Sequence, residues 1–194
     1  MTKEVKRAAS SVELNPLIAE RWSPRSFDSS YVISDTDLNA ILEAGRWAPS
    51  ASNFQPWRFI VGRRGGTTFT AIAETLQDSN RLWAPNASLL IVLSALMVND
   101  SGSARPASRY DAGIASAFMV VEAASRGLVT HQMAGFDGAA LSARFKLPES
   151  ITPLTILAIG RQGDVEALTD EGIRARELAP RSRFDLSELI LASD

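Results

Sequence analysis

The sequence has no cysteine and a single histidine, His131. Structural disulfides, thiolate catalysis, zinc-finger chemistry and iron–sulfur clusters are thereby excluded. Lysine is nearly as scarce, with only Lys3, Lys6 and Lys146. A mechanism that needs a buried Schiff-base lysine has only Lys146 as a remote candidate. Positive charge therefore rests almost wholly on arginine, whose forked donors suit phosphate and carboxylate. Against 22 Asp+Glu stand 20 Lys+Arg, a formal net charge of -2, and no block of like charge occurs. An electrostatic grip on nucleic acid or an anionic membrane is not expected. No Asp/Glu cluster has calcium-loop spacing, so no metal site is expected. The Gly-x-Ser-x-Gly elbow of serine hydrolases is absent, as are Gly-x-Gly-x-x-Gly and the phosphate-binding P-loop; Gly62-Arg63-Arg64-Gly65-Gly66 has the wrong spacing. The longest apolar run, Ala87 to Val98, falls short of the ~20 residues that span a bilayer. Met1 to Ser10 carries no apolar stretch of a secretory signal, so the expected location is cytoplasmic.

What remains is an ordinary globular balance: 194 residues, 45% of them hydrophobic and 22% charged. That length suits one domain over 1–194, with an N-terminal extension over 1–13 and a polar tail over 163–194. Asn15-Pro16 opens a short helix, Asn as N-cap and Pro in the first turn. Ser34 and Asp37 have capping-box spacing before Leu38, Ile41 and Leu42, the stripe of a helix ending near Gly45-Arg46. Trp57 to Val61 reads as a strand, Phe69, Ile72, Ala73 and Leu76 as a helix, and Leu89 to Leu93 as a central strand covered on both faces. The strongest helical pattern lies between Tyr110 and Arg126, with Ile114, Ala117, Phe118 and Val121 along one face and Gly127 as its stop. A short extended exit leads to a helix near Asp137 to Phe145, and Thr155 to Ile159 is the last clear strand. Helices and strands mixed in this way favour a layered α+β or α/β domain. The tail has too few apolar residues to fold alone; it lies on its own chain or wraps a partner.

Three segments carry the groups that chemistry could use. In Arg21-Trp22-Ser23-Pro24-Arg25-Ser26-Phe27, two arginines and a serine at a helix end can converge on a phosphate, with Pro24 stiffening the backbone; a solvated turn with charged ends has the same spacing. Ala48 to Trp57 is a rigid polar loop whose hydroxyls and amides offer donors and acceptors to a heteroaromatic ring, or a plain helix-to-strand connection. In His131 to Asp137, Gly135 lets a ligand approach the backbone and free N–H groups at a helix start favour an electron-rich atom; a glycine turn with Asp137 as N-cap is the simpler alternative.

In this order and at these separations, the three segments resemble the nitroreductase family of flavin enzymes. Arg21 to Phe27 is similar to its N-terminal flavin signature, and Pro49-Ser50-Ala51-Ser52-Asn53-Phe54-Gln55-Pro56-Trp57 to its second, the most specific of the three. Met133-Ala134-Gly135-Phe136-Asp137 resembles the segment that faces the flavin ring. The resemblance implies an α+β three-layer sandwich, a central, mostly antiparallel sheet flanked by helices, in an intertwined homodimer with two FMN sites at the subunit interface. The tail over 163–194 would then pack on the partner subunit. It further implies ping-pong transfer of reducing equivalents from NADPH or NADH to a nitroaromatic, quinone or similar conjugated small-molecule acceptor. Arg21 and Ser23 would meet the FMN phosphate, and Arg25 the pyrimidine end of the ring. Pro49, Ser50, Asn53 and Gln55 would form the second signature, with Pro49, Ser50 and Asn53 coming from the other subunit. Asn80 would be a ring-contacting amide, and the N–H groups of Ala134 and Gly135 would face N5. Arg161, Arg181 and Arg183 would complete the phosphate contacts. No side chain is implied as a catalyst, since the hydride is carried by the flavin. Phe54 and Trp83 depart from the pattern, being bulky where many relatives carry smaller or charged residues. A flavin carrier without turnover is the alternative within the same resemblance.

Overall fold

The computed structural model describes residues 6–193. The first part of the expected N-terminal extension, with Lys3, lies outside the described residues. The chain forms α1 (Pro16–Ala19), α2 (Asp35–Arg46), β1 (Trp57–Arg63), α3 (Thr67–Ala73), α4 (Asp78–Arg81) and β2 (Leu89–Leu96), followed by α5 (Ala107–Ser125), β3 (Val129–Met133), α6 (Gly138–Arg144), β4 (Ile151–Gly160), α7 (Glu171–Leu178) and α8 (Leu186–Leu189).

The four strands pair antiparallel in the order β1-β2-β4-β3. β2 is central, and its alternate residues feed two cores. Leu89, Ile91 and Leu93 pack with Ile41 of α2 and Met119 of α5. Leu90 and Val92 pack on the opposite face with Phe69, Ile72, Trp83, Leu141 and Ile173. Period-two alternation with both faces apolar is why Leu89 to Leu93 reads as an unbroken hydrophobic run. The result is an α+β fold, an antiparallel sheet flanked by helices on both faces. No helix among the described residues is long and apolar enough to cross a membrane.

Local chemistry sets the element ends. Asn15 Oδ1 accepts from Leu17 N at 3.0 Å, and Asp137 Oδ1 accepts from Ala140 N at 2.9 Å. Gly127 stops α5 with φ +71°. At Ser34 the hydroxyl caps Asp37 N at 3.0 Å, but the Asp37 carboxylate accepts the serine hydroxyl at 2.8 Å and pairs with Arg126 at 3.0 Å rather than completing a capping box.

Four expectations are corrected. The helix through Phe69 stops at Ala73, because Leu76 leaves it to bridge Phe136. The short exit after Gly127 is a full edge strand, β3. Most of the expected stripe of α5 is turned outwards: Ala112, Ala115, Met119 and Ala123 are buried, while Phe118 and Val121 are 44% and 41% exposed and only Ile114 of the stripe packs partly on the core. α5 is apolar around most of its circumference, so periodicity cannot choose a face. Packing selects the smaller side chains, which allow α2 to approach so closely that a Cβ on Gly45 would lie 2.8 Å from Met119 Cγ. Finally, the tail has core residues of its own. Ile173 of α7 and Leu168 before it are buried on the same chain, whereas Phe184, Leu186 and Leu191 beyond them are exposed.

Candidate functional site

The segment Arg21 to Phe27 runs past the open edge of β3, and its backbone groups are satisfied one by one. The Arg25 N–H donates to Glu177 Oε2 at 2.8 Å and the Ser26 N–H to Oε1 at 3.1 Å. His131 Nδ1 lies 2.9 Å from the Pro24 carbonyl oxygen. Ser26 Oγ donates to the Asp164 carbonyl at 2.5 Å, and Gly163 N donates to the Ser26 carbonyl at 3.0 Å. Gly163 permits this approach: a Cβ there would stand 2.5 Å from the Phe27 carbonyl carbon. With its main chain engaged inwards, the segment leaves its long side chains to other work.

Those side chains are unusual in their company. Burial holds Arg21 below the ordinary arginine pKa, and the charges of Arg181 and Arg183 lower it further. Arg181 is lowered by burial and by Arg183. Among the described residues, none of these three pairs with a carboxylate; the ion pairs belong to other arginines. Arg21 Nη1 donates to Ser23 Oγ at 3.2 Å, and Arg181 Nη1 donates to the carbonyls of Lys6 and Ala19 at 2.7 and 2.9 Å. Arg25, next along, is lowered by burial and raised by Glu177. Lys6 is buried over the Trp22 ring at 4.6 Å and donates to the Ala179 carbonyl. Arg21 and Arg181, partly buried, with the exposed Arg183 close enough to lower both, form a site for an anion with several oxygens. Arg161 lies elsewhere: its guanidinium stacks over Tyr31 at 4.3 Å, within reach of the charges of Asp28 and Asp37.

A second group forms at the other end of β3. Gly135 O accepts from Gln77 N at 3.0 Å and from Asn80 Nδ2 at 3.1 Å. A Cβ on Gly135 would lie 2.7 Å from Gln77 Oε1 and 2.8 Å from Asn80 Nδ2. The fold thus brings Asn80 and Gly135 together. The N–H groups of Ala134 and Gly135 donate to no acceptor among the described residues. Gly135 stands four residues beyond His131, about 13 Å along an extended chain.

The loop Pro49 to Gln55 is remote from both groups in the hydrogen-bond map of the single chain. Ser52, Asn53 and Gln55 adopt φ of 53°, 55° and 52°, a left-handed run that costs L-residues energy. Side chains hold it there. Ser50 Oγ accepts from Gln55 N at 3.0 Å, Asp111 Oδ2 accepts from Ala51 N at 3.2 Å, and Arg105 donates to Ala51 O at 3.2 Å while stacking on Phe54 at 3.9 Å. The Asn53 side chain makes no hydrogen bond among the described residues, and Pro49 precedes the turn.

Beneath the first segment lies an aromatic floor. Trp83, fully buried, stacks on Phe27 with centroids 6.0 Å apart and tilts onto His131 at 4.5 Å. Its indole thus belongs to the core. Burial pushes the His131 pKa down to about 4, with Arg25 and Arg21 lowering it further and hydrogen bonds to the Pro24 and Ser23 backbone opposing. Sequence reading missed Glu177, Lys6 and the role of His131, because each acts through a fold contact more than 100 residues away in the chain. A cavity of about 570 Å³ borders the segment, with Lys6, Arg21 and Glu177 at its polar end.

Residues 18–74 match the model of the Nitroreductase family. An uncharacterized 15.4 kDa protein from the ask 5' region of Mycolicibacterium smegmatis is 42% identical over 140 residues, which is 68% of this chain and 92% of that protein. A crystal structure described as an oxidoreductase containing FMN superposes with a TM-score of 0.90 at 30% identity, covering 100% of this chain and 98% of its own. The oxygen-insensitive NADPH nitroreductase of Helicobacter pylori is 47% identical over 45 residues, a match that spans 23% of this chain and 21% of that enzyme. The fold defines an α+β class, an antiparallel sheet flanked by helices, shared with that FMN-containing neighbour. The chain belongs to the nitroreductase family.

Proposed function

We propose that the protein is an FMN-dependent oxidoreductase that takes reducing equivalents from NADPH or NADH and passes them to a nitroaromatic, quinone or related conjugated acceptor. The observation that carries this reading is the cluster of Arg21, Arg181 and Arg183, which pairs with no carboxylate among the described residues, at one end of β3, with the N–H groups of Ala134 and Gly135, unbonded among the same residues, at the other. The residues present fit the cofactor. Three forked cations and the Ser23 hydroxyl suit a terminal phosphate. Gly135, with no room for a Cβ, presents bare backbone donors where an electron-rich ring nitrogen would lie. FMN supplies, when bound, the reversible uptake and release of a hydride equivalent.

The chain's own groups then have separable tasks. Arg21, Arg181, Arg183 and Ser23 anchor the phosphate. Arg25 sits toward the pyrimidine end, where a cation favours extra electron density on the ring. Asn80, held by Gly135 O, orients the ring edge. His131, neutral at pH 7, adds no charge, and no side chain is needed to carry a proton. One open face serves reductant and acceptor in turn, which is a ping-pong order.

The same reading makes the protein a homodimer. Its support is the outward apolar stripe of α5, with Tyr110 75% exposed beside Phe118 and Val121, and the exposed Phe184, Leu186 and Leu191 of the tail. The single domain over 1–194 would then lend Pro49, Ser50 and Asn53 to the partner's flavin, and the exposed residues beyond Arg183 would lie across the partner.

The test is an anaerobic titration of the FMN-loaded protein with NADPH, and with NADH as control, following the flavin's blue absorbance. Bleaching that an added quinone or nitroaromatic restores is the expected result. A flavin that binds and stays oxidised with both reductants would refute the reductase and leave a flavin-binding protein.

A further inference from the structure

The peptide joining Pro24 to Arg25 is gripped at both ends by elements distant in the chain. Its N–H, on Arg25, donates to Glu177 Oε2 of α7 at 2.8 Å. Its carbonyl oxygen, on Pro24, lies 2.9 Å from Nδ1 of His131 on β3. We propose that His131 is a positioning residue of the flavin site: with Glu177 it clamps the Pro24–Arg25 peptide plane and so aims the Arg25 guanidinium. This rests on the flavin reading given above and deepens it, assigning a role to a residue that acts through the backbone of Pro24 and Arg25.

The chemistry restricts how the clamp can work. A carbonyl oxygen only accepts, so Nδ1 must carry the proton. The imidazole is neutral at pH 7, with burial as the main cause, so Nε2 then holds a lone pair. That is the less common tautomer of a neutral histidine, selected here by the hydrogen bond that the ring makes. A lysine or arginine could also donate to Pro24 O, but it would add a third positive charge beside Arg21 and Arg25. The ring's position is fixed by Trp83, whose centroid is 4.5 Å away. Rotating the peptide plane would swing the Arg25 φ and carry its side chain off the ring. The Glu177 bond alone leaves one end of that plane free.

Two measurements test the clamp. In the full-length wild-type protein, long-range ¹H–¹⁵N correlation of the single histidine at pH 7 should show Nδ1 protonated and Nε2 bare. An Nε2–H tautomer would overturn the proposal without any variant having to fold. FMN binding to apoprotein is then followed by quenching of flavin fluorescence. His131→Phe keeps the contact with Trp83 and removes the donor, and should weaken FMN binding about tenfold, as for one buried hydrogen bond. His131→Asn returns a donor near the Nδ1 position and should bind within about threefold of wild type. Wild-type affinity in His131→Phe, or an equal loss in both variants, makes the ring a packing element and overturns the clamp. A wild type that takes up no FMN at all defeats the flavin reading itself, and this proposal with it.

Discussion

Acid should destabilise this protein along a slope set by one side chain. His131 is the chain's only histidine, and no cysteine is present. Unfolded, its imidazole titrates near the ordinary value of about 6.5; folded, burial pushes it down to about 4. Between those values the unfolded state binds a proton that the folded state does not. The stability is therefore fully present above pH 6.5, declines as the pH falls, and the loss is complete near pH 4. Each pH unit in that window is worth at most about 1.4 kcal/mol, so the whole decline amounts to about 3 kcal/mol. Asp28, Asp37 and Glu43 also have lowered carboxyl pKa values, through hydrogen bonds from Ser30, Ser34 and Arg46 respectively. What they contribute is lost only as pH falls below the ordinary carboxylate range, so the interval from about 5 to 6.5 belongs to His131. Urea unfolding of the apoprotein at pH 5.0, 5.5, 6.0 and 7.0, compared with His131→Asn, measures it. The wild type should lose over 1 kcal/mol across that interval, on the order expected from linkage, and the variant almost none. Identical slopes for the two proteins, or a histidine proton resonance titrating near 6.5, would refute the account.

Three other outcomes follow from the site. Arg21→Ala should weaken FMN binding by roughly 10- to 100-fold, as for lost charge-assisted hydrogen bonds, while apoprotein melting stays level or rises because repulsion within the cluster is relieved; unchanged FMN affinity would remove the phosphate assignment. Glu177→Gln sets an amide N–H₂ against a backbone N–H that the carboxylate accepted, and should cost about 1–3 kcal/mol of apoprotein stability in denaturant titrations, with no loss counting against its anchoring of Arg25 and Ser26. Phe118→Glu in the outward face of α5 should shift sedimentation towards monomer and release flavin, whereas a variant that sediments as wild type removes α5 from any interface.

How much of this was legible beforehand depended on the range of the interactions. Asn15, Asp137 and Gly127 act within four residues of themselves, so the ends of α1, α6 and α5 could be read directly. The pairing of Asn80 with Gly135 was inferable only by resemblance, yet the fold supplies its reason in a shared hydrogen bond across 55 residues. The orientation of α5 was not legible. Ala112, Ala115 and Ala123 on one side and Ala117, Phe118 and Val121 on the other offer two apolar faces, and the closeness of α2 decides between them. The helix α7 was hidden for a different reason: its buried anchors are only Ile173 and the polar Glu177, one turn apart, and a carboxylate does not look like core. The resemblance likewise grouped Arg161 with Arg181 and Arg183, whereas Arg161, just beyond β4, stacks over Tyr31.

The bond between Arg25 and Glu177 joins residues 152 positions apart. During synthesis the arginine leaves the ribosome long before the helix that will hold its backbone exists. At typical elongation rates of 5–20 residues per second the interval is roughly 8 to 30 s. Through that time Arg21 and Arg25 stand on an unfinished chain without their carboxylate anchor and without Arg181 and Arg183. A nascent chain arrested before α7 would therefore hold the sheet's strands but no competent anion site. Cofactor loading belongs to the end of translation, and the segment made among the first is completed among the last.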